Sequence, residues 1–224
     1  MKVYNIAIDG PAGAGKSTIA KLAAKELGFV YVDTGAMYRA LGLYFLRNGI
    51  HAEETERIEK ALQQAEVTIR YVDGEQVVLL NGENVNGLIR TEEVGKITSA
   101  ISPLVQVREK LLQLQRKLAS ETSVIMDGRD IGTIVLPEAD LKIYLTADAG
   151  VRAERRYKEL LERGEPCDKT EIERDILLRD RQDMTRAVSP LKKAEDAILV
   201  DASYLTIEQV KNRIRELFDE ICGQ

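Results

Sequence analysis

IAIDGPAGAGKSTIAKLA, Ile6–Ala23, places an apolar run and a helix-like run on either side of a loop rich in glycine. Val3–Ile8 reads as a short buried strand. From Ser17 to Leu27, Ile19, Leu22, Ala23 and Leu27 fall on one helical face, and Gly28 follows as a left-handed stop. Between the two runs, Gly10–Ser17 fits G-x-x-x-x-G-K-[ST] in the strand–loop–helix setting that a phosphate-binding loop needs. Backbone N–H groups and the helix N-terminus surround an anion there, and the lysine adds a full charge. Gly10, Pro11, Ala12, Gly13, Ala14, Gly15, Lys16, Ser17 and Thr18 are therefore expected to cradle a triphosphate. Lys16 would reach the β- and γ-phosphates, Ser17 would ligate Mg²⁺, and Thr18 would offer a second hydroxyl. In an open site of this kind Lys16 is expected to be solvent-accessible.

The chain has 224 residues, 44% hydrophobic and 31% charged, enough for one compact domain. A net charge of -5 argues against a nucleic-acid surface, which relies on clustered Lys and Arg. Cys167 and Cys222 have neither metal-ligand nor redox spacing, so neither a disulfide framework nor a zinc site is expected. The N-terminus carries no signal-like run, and the longest apolar patch, around Ala40 to Leu46, is far too short for a bilayer. These features predict a cytoplasmic protein with no membrane partner, and a monomer. His51, the only histidine, follows the turn-like Asn48-Gly49 and reads as a solvated residue, not a base.

Further short apolar runs, Phe29–Val32, Val124–Met126, Leu141–Leu145 and Ile198–Val200, alternate with helical patterns. This alternation predicts an α/β fold: a five-stranded parallel sheet flanked by helices. Ligands gather at the carboxyl ends of such strands, where Asp9-Gly10, Asp33-Thr34-Gly35, Asp127-Gly128-Arg129-Asp130 and Asp201 would lie. Asp201 reads as a strand-end cap only. Val67–Val85 departs from the pattern: it alternates apolar and polar residues and carries Asp73-Gly74 and Asn81-Gly82, strong hairpin signals. A small antiparallel insert, with up to three strands, is expected. Val151–Lys169, a charged helix followed by Gly164 and Pro166, reads as a mobile lid.

A phosphate loop serves GTPases, motor ATPases and small-molecule kinases alike. No Asp here has Gly three places on and no Asn precedes Lys, so the D-x-x-G switch and N-K-x-D guanine reader of GTPases are absent. A kinase whose acceptor is a phosphate needs arginines facing it. Arg39, one turn beyond Asp33-Thr34-Gly35, and Arg129 point to the same sheet edge. Arg152, Arg155 and Arg156 have the spacing to share a face of the lid helix, and bound phosphates would draw them inward. No Ser-His-Asp, Cys-His or paired-carboxylate set supplies a base. A phosphate monoester needs none, because its second pKa is about 6. A kinase for another small acceptor, or an ATP-binding regulatory module, would share much of this pattern.

GPAGAGKST, VDTGAMYRA, VDGEQVVLLNGENV, IRTEEVG, MDGRDIGT and DRQDMTRAVSPL, in this order and over essentially the whole chain, resemble the bacterial cytidylate kinase family. MDGRDIGT and TRAVSPL are the most specific of these blocks. The resemblance implies a P-loop kinase fold with a monophosphate-binding insert at residues 36–105 and a lid at 150–170. It implies transfer of the ATP γ-phosphoryl to CMP or dCMP, with Mg²⁺. It puts Lys16, Arg129, Arg152 and Arg156 at the transferring group, and Thr34, Arg39 and Arg129 at or near the acceptor phosphate. Ser99, Arg108 and Asp130 would face cytosine, while Arg179, Asp183 and Arg186 would reach sugar and phosphate. Either Asp33 or Asp127 would support the waters of the metal bound at Ser17.

Overall fold

The computed structural model describes residues 2–222. Its first strand, β1 (Asn5–Asp9), begins two residues later than the apolar pattern suggests, because pairing with the neighbouring strand starts only at Asn5, opposite Val124, and Val3 is exposed. The loop leads into α1 (Lys16–Leu27), closed by Gly28 at φ 69° as the sequence predicts. Then follow β2 (Val30–Asp33), α2 (Thr34–Arg47), α3 (Thr55–Gln64), β3 (Val67–Val72), β4 (Glu75–Leu80), β5 (Glu83–Asn84), α4 (Glu92–Ile101) and α5 (Val105–Glu121). The second half holds β6 (Val124–Gly128), one wide helical turn at Ile131–Val135, β7 (Leu141–Thr146), α6 (Ala149–Glu162), α7 (Lys169–Thr185), β8 (Ile198–Asp201) and α8 (Ile207–Cys222).

Five strands form one parallel sheet in the order β2-β6-β1-β7-β8. Successive residues of a strand face opposite ways, and the sequence uses both faces. Ile6, Ile8, Ile125, Ile143 and Leu145 bury against Ile19 and Ala23 of α1 and Ile214 and Phe218 of α8. Ala7, Val32, Val124 and Met126 turn to the other face, onto Met37 and Leu41 of α2 and Leu111 of α5. Each such Ile or Leu contributes roughly 1.5–3 kcal/mol by leaving water. The connection leaving β1 runs to β2 on one side and the connection leaving β7 runs to β8 on the other, so a crevice opens between them at the carboxyl ends of the strands.

The expected insert is a three-stranded antiparallel sheet, β3-β4-β5. Asp73 and Gly74 (φ 52° and 78°) and Asn81 and Gly82 (φ 49° and 82°) make both its turns, the left-handed pairs that tight hairpins require. Val67, Val78, Leu80 and Val85 join the same apolar core as Val32 and Met126, so the insert is built onto the sheet. It docks on the outer edge of β2. The Gln76 carboxamide accepts from the Asp33 N–H at 2.7 Å and donates to the Asp33 carbonyl at 3.3 Å, and the Tyr71 hydroxyl donates to the Tyr31 carbonyl at 3.0 Å. Side chains thus take the positions that a sixth strand would occupy.

His51 is exposed, and Cys167 is a free thiol; the side chain of Cys222 lies outside the described residues. Asp201 does cap its strand end, accepting from the Ser203 N–H and hydroxyl at 2.9 and 2.6 Å. Among the described residues no helix is long and apolar enough to cross a membrane.

Candidate active site

The phosphate loop leaves β1 through Gly10, whose φ of 151° and approach to Leu145 exclude a side chain: a Cβ there would lie 1.9 Å from the Leu145 carbonyl oxygen. Gly15, at φ 87°, precedes α1 without supplying a side-chain cap, so the first N–H groups of α1 face the crevice uncapped by any side chain of the cap residue. Lys16 departs from expectation. It is 5% exposed, and its ammonium donates to the Pro11 carbonyl at 2.7 Å, because the loop folds around it. Burial, and then the nearby Arg129 guanidinium, push the ammonium well below the usual lysine range against the pull of Asp127 and Asp9. Ser17 and Thr18 are exposed on the first turn of α1.

The strand ends deliver three carboxylates with different tasks. Asp127 accepts from the Ser17 hydroxyl on one oxygen and from the Tyr31 hydroxyl on the other, each at 2.9 Å; burial, and then Asp33, raise its pKa. Asp33 caps α2, accepting from the Ala36 N–H at 2.9 Å, and pairs with Arg90 at 2.5 Å, so each of its oxygens has a partner other than Ser17. Asp9 accepts the Ile131 and Gly132 N–H groups at 2.8 and 2.7 Å, which fixes the wide turn following Arg129 and Asp130. Its burial pushes its pKa up to about 6, against those hydrogen bonds.

Across the crevice stand the arginines. Arg39 donates to the Ile89 carbonyl at 3.2 Å, and Gly95 gives it room: a Cβ on Gly95 would lie 3.4 Å from Nη1 of Arg39 and 3.4 Å from Nη2 of Arg179. Burial, then Arg90 and Arg179, lower the Arg39 pKa to about 10. The Arg129 guanidinium acts electrostatically on both Arg39 and Lys16, and its Nε donates to Asp183 at 2.8 Å. Arg108 and Asp130 form a buried ion pair, with Arg108 also donating to the Ser102 carbonyl at 3.1 Å and lying 5.7 Å from the centre of the Tyr38 ring. Arg186 lies 3.8 Å from Asp130 and 3.7 Å from Asp183, and its Nε donates to the Ser189 carbonyl at 2.7 Å. The hydroxyl of Thr34 is directed to the Asp127 carbonyl at 2.7 Å, and Ser99 is exposed on α4, its carbonyl accepting from the Ser102 hydroxyl.

The three arginines of α6 do not act as one face. Arg152 is already inward: buried, it donates to the Ala147 carbonyl at 2.8 Å and the Ala12 carbonyl at 3.0 Å, and pairs with Asp180 at 2.7 Å. Arg155 instead donates to the Ala202 carbonyl beyond β8 at 2.6 Å, and exposed Arg156 pairs with Glu159 at 2.9 Å. The divergence follows from the 100° step between helix residues, which sends Arg155 and Arg156 to different neighbours. Arg90 and Asp180 lie in the blocks IRTEEVG and DRQDMTRAVSPL but were given no role there, and Tyr31 and the role of Asp9 had no separate sequence signal. Only Asp9 stood at a strand end already marked as a gathering point for ligands.

Comparison with known proteins agrees with this geometry. A family model described as Cytidylate kinase matches residues 6–220. The chain is 52% identical over 223 residues to a cytidylate kinase of Caldicellulosiruptor saccharolyticus, covering 100% of this chain and 99% of that one. It is 46% identical over 216 residues to a cytidylate kinase of Streptococcus pneumoniae, covering 96% and 97%. Among solved structures, shikimate kinase from Bacteroides thetaiotaomicron superposes with a TM-score of 0.50 at 14% identity, covering 96% and 98%, a likeness of fold alone. A phosphate loop facing an arginine-lined crevice, on a P-loop kinase sheet and with relatives that match end to end, means that this chain belongs to the cytidylate kinase family.

Proposed function

We propose that this protein transfers the γ-phosphoryl of ATP to CMP or dCMP, giving ADP and CDP or dCDP. The observation that carries the reading is the buried Arg108–Asp130 pair, linked through Arg186 and Asp183 to Arg129, whose charge reaches Lys16 of the phosphate loop. A guanidinium and a carboxylate together match the acceptor and donor edge of cytosine, while Arg39, Arg129 and Arg179 suit a phosphate. Cytidylate kinase is also the name borne by the relatives that match the chain end to end.

The acceptor phosphate is an anion at neutral pH, so no side chain has to remove a proton. Catalysis is positioning and electrostatics. Arg39 and Arg179 orient the acceptor, Arg129 spans acceptor and transferring phosphoryl, and Lys16 exchanges the Pro11 carbonyl for phosphate oxygens. Arg152 sits on the Ala12 side of the loop and steadies it; Arg156 would reach phosphate only by leaving Glu159. Ser99, Asp183 and Arg186 complete the nucleoside side, and Thr34 supports it through β6. Residues 36–105 form the monophosphate-binding insert and 150–170 the lid, whose closure excludes water.

The Ser17 hydroxyl and Asp127 carboxylate are hard oxygen donors of the kind Mg²⁺ takes, and the described residues hold no cluster of three or more His, Cys, Asp or Glu side chains suited to a metal. Such a pair fits a cation that keeps its waters and binds mainly through phosphate. Bound there, Mg²⁺ would neutralise charge on the phosphates; Asp127, not Arg90-paired Asp33, would hold its waters. A coupled assay of ADP release with CMP, dCMP, UMP, AMP, GMP and a non-nucleotide acceptor tests the function. Turnover should be fastest with CMP or dCMP. Preference for another acceptor, or no transfer to any, would overturn the reading.

A further inference from the structure

Tyr31 lies inside β2, where the fold needs only an extended residue. Its main chain is fixed from two sides: opposite Ile125 in the parallel ladder, and on the outer edge by the Tyr71 hydroxyl donating to its carbonyl at 3.0 Å. Its phenol crosses to β6 and donates to Oδ1 of Asp127 at 2.9 Å, while Oδ2 accepts the Ser17 hydroxyl at the same distance. We infer that Tyr31 is a positioning residue for the divalent-cation site: it holds the Asp127 carboxylate in the one plane that takes the Ser17 proton and leaves a Ser17 lone pair facing the phosphates.

The chemistry requires some such device. A serine hydroxyl has one proton and two lone pairs, and it serves a cation well only when the proton is committed elsewhere. Asp127 accepts that hydrogen bond, and a hold on its second oxygen narrows the rotation left to the carboxylate about the Cβ–Cγ bond. Tyr31 supplies that hold. In this contact the phenol is the donor and the carboxylate the acceptor. The Asp33 oxygens serve other partners, the Ala36 N–H and Arg90, while Asp127 is the carboxylate that accepts from Ser17. Side chains that orient a metal ligand typically influence affinity 10- to 100-fold.

This inference rests on the proposed kinase reading, and the test separates the two. Tyr31→Phe removes one oxygen and keeps the ring, whereas Tyr31→Leu also removes the packing. Mn²⁺ binding to the full-length enzyme with ADP, followed by electron paramagnetic resonance, should weaken about tenfold in Tyr31→Phe. The Mg²⁺ concentration that half-saturates CMP phosphorylation should rise by a similar factor, with KM for CMP unchanged. In a Ser17→Ala background, Tyr31→Phe should have little further effect on Mn²⁺ binding, because both act through one carboxylate. Normal Mn²⁺ binding by Tyr31→Phe with loss only in Tyr31→Leu would make Tyr31 a packing residue and refute the inference, as would full additivity with Ser17→Ala. Failure of the wild-type enzyme to phosphorylate CMP would instead refute the kinase reading, and the Mn²⁺ measurement would still decide the role of Tyr31.

Discussion

Lys16 and Asp130 show how a residue legible in sequence acquires its physical meaning only from its surroundings. The spacing of Gly10–Ser17 identifies Lys16 as the phosphate-loop cation, but spacing says nothing about burial, and the loop turns out to enclose it. Lys16→Ala should lower kcat by about 10²–10³, the cost of losing one preorganised donor at the transferring group, and steady-state kinetics on the purified variant would expose a near-normal rate. Asp130 pairs with Arg108 and, in the proposed function, also faces the base. Asp130→Ala would leave the buried Arg108 guanidinium with neither charge nor acceptor at this position, so the informative change is Asp130→Asn, which removes the charge but keeps the volume and an oxygen acceptor. An ionised carboxylate only accepts, which suits the cytosine amino group and repels uracil O4; Asn offers both donor and acceptor. Asp130→Asn should therefore compress the ratio of kcat/KM for CMP over UMP by about tenfold, or about 1.4 kcal/mol, while Arg39→Ala lowers both substrates alike. Equal loss for the two bases in Asp130→Asn would move the base-reading role elsewhere.

Among the elements, strands and hairpin turns were readable because their signals are local. Asp73-Gly74 and Asn81-Gly82 dictate left-handed turns whatever surrounds them, and Ile6, Ala7 and Ile8 announce a strand buried on both faces. Helix α6 was readable as a helix but not in its contacts. Arg152, Arg155 and Arg156 look equivalent in sequence, and only the packing of α7 and the end of β8 sends the first to Asp180 and the second to Ala202. The Arg152–Asp180 pair, each side chain about nine-tenths buried, joins α6, α7 and the phosphate loop. Arg152→Ala leaves a buried carboxylate unpaired and should cost about 3–5 kcal/mol in urea unfolding, whereas Arg156→Ala, losing an exposed pair, should cost no more than about 1 kcal/mol. Similar losses for the two would show that the pair does not bind the elements together.

At the scale of the whole molecule, the sheet and its insert followed from the alternation of apolar runs, while the tertiary network of Asp9, Tyr31 and Arg90 did not, because partners separated by 57–122 residues leave no local trace. Asp9 makes the stability of the entire fold depend on pH. Its folded pKa of about 6 lies above the usual carboxylate value, so between about pH 4 and 6 the folded chain binds more protons than the unfolded one. Its contribution is complete below pH 4 and is lost as pH rises through 6. Unfolding free energy should thus fall by about 2–3 kcal/mol across that window relative to Asp9→Asn, measured by urea titration at each pH; parallel curves for the two proteins would remove Asp9 as the cause. The docking of Gln76 and Tyr71 on β2 carries a different consequence, one for assembly. Among the described residues, it leaves β8 as the edge strand of the five-stranded sheet on which no such insert side chain is seated. Two copies that met strand to strand through this sheet would have to use β8 on both sides, and the joined sheet would then end at both sides in a β2 edge already occupied by Gln76 and Tyr71, so growth through this sheet would halt at a dimer and not continue into a fibre.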